Sequence, residues 1–324
     1  MDPRLGTAVV VVVGVPAVLI GYIYGTELLL RLAPERLKAT LRPWLWLLPA
    51  LLFLGVFLIY PTIGTIIRSF QDKIGTAFVG LDNYAWFFGT DEALVALRNN
   101  VIWLVLLPLI TVGFGLIIAV LVDRVRYESI AKSVIFVPLA ISMVAAGVIW
   151  KFMYAYKSPG EAQVGTVNGV LTTFGGSPVP WILNDTLALN TIALIVVMAW
   201  MWTGFAMVII SAALKGINSE LLEAARVDGA NELQVLRGII IPLLMPTLTV
   251  IATTMIITAL KVFDVVYTLT NGAYGTDVIA RQLFARIANS DYGRAAAVGV
   301  VLLVAVTPIL LLNIRRFREQ EEVR

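Results

Sequence analysis

Two groups of side chains in this sequence could bind a ligand or transmit a signal. The first lies at the ends of two hydrophobic stretches and consists of Trp200, Trp202, Thr203, Phe205, Lys261, Phe263, Asp264 and Tyr267. Aromatic faces combined with hydrogen-bonding groups suit a ligand that has both apolar and polar surface, so these side chains could line an internal cavity. The same residues could instead form an interfacial aromatic belt, with Lys261 and Asp264 paired three residues apart on a helix. We take them as candidate cavity residues.

The second group is a charged loop at residues 215–238, KGINSELLEAARVDGANELQVLRG, which lies between the same two hydrophobic stretches. A short helix is expected to begin at a cap, Asn218 or Ser219, and to end at Gly229, because glycine enters the left-handed conformation cheaply. A second helix is expected to start at Asn231 and to run to Pro242. The first helix would carry an apolar patch at helical spacing, formed by Leu221, Leu222 and Ala225.

Several kinds of chemistry are excluded by composition. The chain has no Cys and no His, so disulfides, thiolate chemistry, imidazole bases and the common zinc sites are ruled out. The phosphate-binding pattern G-x-x-x-x-G-K-[ST] does not occur. A membrane-embedded enzyme would need catalytic carboxylates, a metal cluster or a nucleophile with its base, and the hydrophobic stretches offer none. We therefore predict no catalytic residue, no metal and no cofactor bound by this chain.

The elements that position these groups are membrane spans. The 324 residues are 59% hydrophobic and 14% charged, with a mean hydropathy of +0.90. Seven predominantly apolar stretches lack Asp, Glu, Lys and Arg over about 20 residues, the length that crosses a hydrocarbon core. They are 5–26, 43–67, 99–122, 133–150, 186–214, 238–260 and 295–313. The sequence thus predicts an all-α integral membrane protein with about seven transmembrane helices.

Two charge-free stretches need separate interpretation. Residues 162–184 are long enough to span, but their Gly, Thr, Asn and Pro content favours an external loop. Residues 5–26 could form a signal peptide, but no clear small-residue cleavage site follows, and we predict a span.

Small and polar residues inside the spans are interpreted as packing elements. Five of them would let helices approach closely, namely Gly113, Gly115, Ala145, Ala146 and Gly147. Asn99 and Asn100, at the start of the third stretch, are expected to cap its helix.

The basic residues predict the orientation. Fourteen of the 24 Lys and Arg residues fall in one alternating set of segments, at 31, 36, 38, 42, 124, 126, 132, 215, 226, 237, 315, 316, 318 and 324. Basic residues concentrate in cytoplasmic segments, so this set is expected to be cytoplasmic. We predict a multi-pass protein of the cytoplasmic (inner) membrane with its N-terminus outside and its C-terminus inside.

The loop carries a specific resemblance. Its motif consists of Glu223, Ala224, Ala225, Asp228, Gly229, Ile239 and Pro242. This pattern resembles the EAA motif of the membrane subunits of binding-protein-dependent ABC importers. It departs from that motif at Leu236, where an aromatic is usual, and at Ile241, where Leu is usual. Both substitutions keep an apolar side chain, so docking should survive.

Three further segments resemble the sugar-permease branch of that family, which includes the maltose permease. They are FVGLDNY at 78–84, LKVFD with LTNG at 260–264 and 269–272, and YGRAAA at 292–297. Together with the motif, the resemblance covers about residues 43–314. The group it resembles most is that of the α-glucoside and trehalose permeases.

The resemblance implies a type I ABC importer transmembrane fold with a cytoplasmic coupling helix. In such importers the coupling helix sits in a cleft of an ATPase subunit, which binds ATP and Mg²⁺. Glu223 would then anchor the helix by charge, Ala224 and Ala225 would allow close approach, and Gly229 would supply the turn. The implied partners are a second homologous permease, two ATPase subunits, an extracytoplasmic solute-binding protein, and a carbohydrate moved by alternating access.

The implied substrate is an α-glucoside or related oligosaccharide such as trehalose or maltose. An importer for glycerol phosphate or another polyol-like solute is the alternative within the class. An ion-driven secondary transporter should show internal repeats and an ionisable residue in mid-span, and neither is present.

The sequence also predicts a division into segments. Residues 1–42 would form an accessory helix with a basic cytoplasmic linker, and 43–95 the first core helix with an external segment. Residues 96–314 would form the transport core, with 315–324 as a cytoplasmic tail.

Overall fold

The computed structural model describes residues 3–123 and 125–322. Their regular structure is helical, apart from one isolated bridge between Gln71 and Phe78, which confirms the predicted all-α class. The chain divides into two compact units, Met1–Thr65 and Ile66–Arg324. Each unit is described by itself.

The N-terminal helices are long and apolar. They are α1 (Pro3–Leu32), α2 (Glu35–Leu54), a π-helical turn (Gly55–Ile59) and α3 (Tyr60–Arg68). Because α2 begins at Glu35, most of the basic segment that the sequence assigns to a linker is helical. The predicted division into segments otherwise stays a prediction.

The remaining helices differ widely in length. They are α4 (Asp82–Gly89), α5 (Asp91–Val122), α6 (Glu128–Phe136), α7 (Met143–Met153), α8 (Thr166–Thr173), α9 (Leu189–Lys215), α10 (Ser219–Val227), α11 (Glu232–Val235), α12 (Ile241–Leu260), α13 (Asp264–Leu269), α14 (Ile279–Ala288) and α15 (Tyr292–Glu322). Short 3-10 turns occupy Val137–Ala140 and Thr186–Ala188, and a second π-helical turn occupies Leu236–Ile240.

The predicted count of seven spans is not confirmed. Five helices in the described residues are long and apolar enough to cross a membrane: Val10–Leu32, Glu35–Arg68, Asp91–Val122, Thr186–Leu214 and Glu232–Leu260. A sixth is possible if a bent pair, Glu128–Ala140 with Met143–Met153, is one span. The apolar part of α15, Tyr292–Pro308, falls below that length. The stretch 162–184 is not among the candidate spans, in agreement with its interpretation as a loop.

The bend in the fourth predicted span has a local cause. Pro138 has no N–H to donate and sits in the 3-10 turn that ends α6. Ile141 is extended, and Ser142 caps α7 by accepting a hydrogen bond from the Ala145 N–H at 3.2 Å. The two halves therefore meet at 100°.

The core of the second unit is built around α9. This helix packs against α5 along much of its length, and α12 packs against both. In the span that contains this helix, 61% of an 18-residue apolar stretch is buried, the largest fraction among the candidate spans. One buried cluster surrounds Trp103, Leu194 and Val265, and a second surrounds Met207 and Leu244.

Close helix approach depends on some of the predicted small residues. A Cβ built on Gly115 would lie 2.7 Å from the Ala206 Cβ, and one on Gly147 would lie 2.7 Å from Thr268 side-chain atoms. These two predictions are confirmed. The prediction is wrong for Gly113, which has no such neighbour within 4 Å.

Gly204 marks the tightest approach of α9 to the end of α6. A Cβ there would lie 2.4 Å from the Ile135 carbonyl oxygen and 2.8 Å from the Phe136 Cα. These are backbone atoms, so no side-chain rotation can relieve the clash. We expect Gly204→Ala to destabilise the protein by about 1–3 kcal/mol, as overpacking does.

The measurement is the midpoint of thermal unfolding in detergent. Gly113→Ala is the matched control, because it adds the same methyl group to open space and should leave the midpoint unchanged or raise it. Equal midpoints for the two variants would contradict the assigned helix approach.

Two asparagine side chains of α5 hold the segment after α13 in place through hydrogen bonds. Asn99 donates from Nδ2 to the carbonyls of Gly275 (2.7 Å) and Asp277 (2.8 Å), and Asn100 accepts from the Ile279 N–H at 2.9 Å. The prediction that these asparagines cap a helix is wrong, because α5 begins eight residues earlier, at Asp91. Their amides instead satisfy backbone groups in a loop far away in sequence.

Candidate coupling loop and substrate cavities

The loop between α9 and α12 is held by complete caps at both of its helices. Asn218 caps α10 by accepting from the Glu220 N–H at 3.0 Å. Asn231 caps α11 in a capping box, in which it accepts from the Gln234 N–H at 2.9 Å and donates its own N–H to the Gln234 side chain at 2.7 Å. Such caps satisfy backbone donors that a helix start leaves open.

The turn between the two helices is a Schellman motif. Gly229 has φ +87°, and its N–H donates to the Arg226 carbonyl at 3.1 Å. The Ala230 N–H donates to the Ala225 carbonyl at 3.0 Å. A residue with a Cβ is strained at this φ, so the sequence uses glycine. This confirms the predicted helix end.

An ion pair joins the two helices across that turn. The Arg226 Nε donates to the Glu232 carboxylate at 2.9 Å, and this hydrogen bond raises the pKa of Arg226. Both side chains are about half exposed, so water screens the pair and it adds little to stability. It joins α10 to α11 across the turn.

One face of α10 packs on the bundle and the other is open. Leu222 and Ala225 pack, together with Ala230, against the cluster around Met207 and Leu244. The opposite stripe, Glu220, Glu223, Ala224 and Val227, is exposed. The predicted apolar patch is therefore split, since Leu221 is half exposed, and Ala225 faces its own bundle rather than a partner.

The second helix continues beyond its expected end. The chain is helical from Glu232 to Leu260, with Ile239 in the π-helical turn and Pro242 in the first turn of α12. The wider turn directly before Pro242 lies where the proline ring and its missing N–H would disturb α-helical bonding. An unbroken helix thus joins the second half of the loop to α12.

A charged cluster at the base of the loop was not predicted from the sequence. Lys132 contacts both the Glu128 carboxylate and the buried Ser211 hydroxyl, and the Lys215 Nζ lies 2.7 Å from the same Glu128. Glu128 begins α6 and Lys215 ends α9, so the cluster ties these helices together where the loop begins. Glu128 and Lys132 are four residues apart on one helix, but Ser211 and Lys215 are 79 and 87 residues away from their partners, which leaves no local signal for those two contacts.

Two cavities lie at the opposite end of the α9–α12 pair. The larger has a volume of about 720 Å³ and is lined by residues that include Lys151, Tyr154, Tyr156, Tyr267, Asn271 and Tyr274. The smaller, about 200 Å³, is lined by residues that include Met143, Met198, Thr258, Lys261, Phe263 and Asp264.

An aromatic cluster connects the linings of these two cavities. Phe263 stacks on Tyr267 with ring centroids 5.2 Å apart, and Phe284 of α14 contacts both rings at 5.2 and 5.3 Å. Phe263 lines the small cavity and Tyr267 lines the large one. The sequence singled out the first two rings but missed Phe284, which lies 17 residues further along the chain.

The remaining candidate cavity residues are placed elsewhere. Trp200 packs edge-on against Trp150 at 5.7 Å, and Trp202 packs edge-on against Phe205 at 5.6 Å. The Thr203 hydroxyl donates to the Ala199 carbonyl of its own helix at 2.6 Å, so it is already satisfied. The structure thus gathers Lys261, Phe263, Asp264 and Tyr267 around the cavities, whereas the α9 aromatics form two separate pairs.

The alternative interpretation of Lys261 and Asp264 as a pair on one helix is not supported by their placement. Lys261 caps the end of α12, and Asp264 begins α13 after a break at Val262 and Phe263. Both are exposed and both line the small cavity.

The sequence of residues 97–317 matches the family described as "Binding-protein-dependent transport system inner membrane component". This match spans more than half of the chain, and the chain belongs to that family. It is a multi-pass permease subunit of an ABC importer and not an enzyme, with ATP hydrolysis carried out by a separate subunit.

Two individual relatives are similar to this chain over most of its length. The chain is 50% identical over 281 residues to the "Osmoprotective compounds uptake permease protein GgtC" of Synechocystis, covering 86% of this chain and 100% of that one. It is 44% identical over 283 residues to the "Alpha-glucoside transport system permease protein AglF" of Rhizobium meliloti, covering 86% and 83%.

A solved structure supports the fold. A chain from a bacterial ABC transporter involved in the import of the acidic polysaccharide alginate is 25% identical, with a TM-score of 0.72 over 88% of this chain and 98% of that chain. This confirms the predicted ABC importer permease fold.

Proposed function

We propose that this permease imports an α-glucoside or a related small oligosaccharide, such as trehalose or maltose. The observation that carries the proposal is the 720 Å³ cavity, which combines four tyrosines with Lys151 and Asn271. Ring faces complement sugar C–H faces, and the polar groups provide hydrogen bonds to hydroxyls. The similarity to a permease named for α-glucosides agrees with this lining.

The second candidate substrate is a small polyol-like osmoprotectant. The relative named for osmoprotective compounds favours it. The large cavity carries Lys151, whereas the small cavity carries both Lys261 and Asp264, whose opposite charges offset each other. A neutral solute therefore suits the small cavity better than a glycerol phosphate does.

The proposed mechanism assigns α10 to an ATPase subunit. Its exposed stripe with Glu223 and Ala224 would dock in a cleft of that subunit, which binds ATP and Mg²⁺. In this proposal the complex holds two such ATPases, a second homologous permease and an extracytoplasmic solute-binding protein. The loop and the C-terminus face the cytoplasm and the N-terminus faces outside, so the cavities open on the outer side. Closure of the ATPases would move α9 and α12 and alternate access to the substrate.

Substrate identity is tested with the complete reconstituted complex. We expect ATP hydrolysis to rise on adding binding protein with trehalose or maltose, and not with glycerol 3-phosphate. Stimulation by glycerol 3-phosphate alone would overturn the carbohydrate assignment, and stimulation by neutral polyols alone would favour the second candidate.

Tyr267 provides a residue-level test of the cavity. Its ring is 43% exposed and stacks on Phe263, so it can present a free face to a sugar. We expect Tyr267→Ala to lower kcat/KM for uptake about tenfold, the equivalent of about 1.4 kcal/mol from a lost aromatic contact. Tyr267→Phe should keep most of the activity, because it keeps the ring.

The matched control for this test is Tyr127→Ala, which removes another exposed tyrosine, directly before the first residue of α6 and outside both cavity linings. Uptake kinetics with radiolabelled sugar measure all three variants. If Tyr267→Ala transported as well as Tyr127→Ala, the cavity would not lie on the substrate path.

A further inference from the structure

The first two helices form a hairpin whose turn is rich in charge. Helices α1 and α2 are separated only by Ala33 and Pro34. The chain reverses there, because the Arg42 guanidinium donates to the Glu27 carboxylate at 2.9 Å and the Tyr22 hydroxyl donates to the Leu45 carbonyl. Both helices are apolar: the mean hydropathy is 1.7 for the candidate span Val10–Leu32 within α1, and 2.2 for the candidate span Glu35–Arg68, which contains α2.

A pocket of about 230 Å³ lies between the two helices at this turn. It is lined by Glu27, Leu30, Arg31, Lys38, Ala39 and Arg42. Leu30 is 4% exposed and is the most buried of these residues. The rim holds three cations and one carboxylate, and the ion pairs of Arg42 and Lys38 are made with exposed partners in high dielectric. The pocket therefore has a net positive charge and favours an anion.

Aromatic side chains place the pocket at the level of lipid head groups. Tyr24, Trp44 and Trp46 flank it along the two helices and are 75%, 62% and 43% exposed. Trp and Tyr concentrate at the boundary between hydrocarbon and water, where their amphipathic rings are stable. An anion that meets this pocket from the side is thus the phosphate of a lipid whose chains lie along the apolar helix surfaces.

We propose that this pocket binds the phosphate of an anionic phospholipid, such as phosphatidylglycerol, on the N-terminal hairpin. Arg31 and Arg42 present guanidinium groups whose geometry matches phosphate oxygens, and Lys38 adds a point charge. Basic pockets between membrane helices bind lipid head groups in this way. The residues of this site belong neither to the coupling loop nor to the cavity linings, and the proposal does not depend on which solute is transported.

The experiment titrates the full-length chain in detergent with dioleoyl phosphatidylglycerol or dioleoyl phosphatidylcholine and counts bound lipid by native mass spectrometry. We expect phosphatidylglycerol to bind more tightly than phosphatidylcholine. Arg31→Gln with Lys38→Gln should weaken phosphatidylglycerol binding about 25-fold, at about fivefold for each cation. Arg36→Gln is the control, since Arg36 lies on the same turn outside the pocket lining, and it should change binding less than twofold.

A gain of binding separates this proposal from loss of folding. Glu27→Gln removes the one carboxylate of the rim and frees Arg42, so phosphatidylglycerol should bind about fivefold more tightly. Equal affinity for the two lipids, or an Arg36→Gln loss as large as that of the double variant, would overturn the site. Displacement of the lipid by millimolar inorganic phosphate would assign the pocket to free phosphate instead.

Discussion

Glu223→Lys combined with Gly229→Pro is expected to abolish substrate-stimulated ATP hydrolysis in the assembled importer. Proline fixes φ near −65°, whereas Gly229 sits at φ +87° and uses its N–H to bond the Arg226 carbonyl. The turn must therefore break, and α10 loses its direction. If α10 docks on an ATPase subunit as proposed, reversing the charge of Glu223 on the exposed stripe would remove a contact of about 2 kcal/mol or more, which is about thirtyfold in affinity.

Single substitutions separate the two effects. Glu223→Gln removes the charge and leaves the helix intact, so it tests docking alone. Gly229→Asn tests the turn alone, because asparagine tolerates the left-handed conformation better than other side-chain residues. We expect Gly229→Asn to keep most of the stimulation.

The readouts are ATPase stimulation and co-purification of the ATPase with the permease. If the double variant kept both assembly and stimulation, α10 would not be the coupling element. A Gly229→Pro single variant completes the set, and if it were no more impaired than Gly229→Asn, the glycine would act through something other than its backbone conformation.

The packing of the loop explains why a force on α10 would reach the membrane. Leu222 and Ala225 are fixed to the same buried cluster as Met207 of α9 and Leu244 of α12. The continuous helix from Glu232 to Leu260 adds a stiff connection, and the Glu128, Lys132 and Lys215 cluster ties in α6. Displacement of α10 would therefore move several spans together.

The loop was predictable because its signals are local. Asn218, Gly229 and Asn231 act on backbone groups within a few residues of themselves, so their types and spacing indicated the caps and the turn. The membrane class was predictable for a similar reason, since hydropathy is read within one stretch. The end of the second helix was not predictable. Pro242 is tolerated after a π-helical turn, and no local pattern in the sequence indicates that turn.

The cavities and the asparagine network of α5 were less predictable because they depend on distant partners. Phe284 reaches Phe263 and Tyr267 from another helix, and Asn99 finds its acceptors 176 and 178 residues away. From the sequence alone, Asn99 was predicted to cap a helix, because asparagine at the start of a hydrophobic stretch often does so. The 100° bend was also not predictable, because Pro138 indicates that a helix is interrupted but not the angle between its two halves.

The buried carboxylate of Asp277 organises the segment that contributes Asn271 and Tyr274 to the lining of the large cavity. It accepts both nitrogens of the Arg281 fork, the Gln282 amide at 2.5 Å and the Val278 N–H at 2.9 Å. Its side chain is 8% exposed and that of Arg281 is 19% exposed. Just before it, Asn271, Gly272, Tyr274 and Gly275 all have positive φ, so the segment relies on this network to hold a strained path.

Asp277→Ala is expected to lower the stability of the protein by about 3 kcal/mol, because it leaves the Arg281 charge and the Gln282 amide without their buried acceptor. Asp277→Ala with Arg281→Met should recover much of that loss, since it removes the unpaired charge and keeps apolar volume. Asp185→Ala, at an exposed aspartate, should change stability by less than about 0.5 kcal/mol. The midpoint of thermal unfolding in detergent compares all three. The network would have no stabilising role if Asp277→Ala matched Asp185→Ala, and a double variant worse than Asp277→Ala would show that Arg281 stabilises the fold through contacts other than this carboxylate.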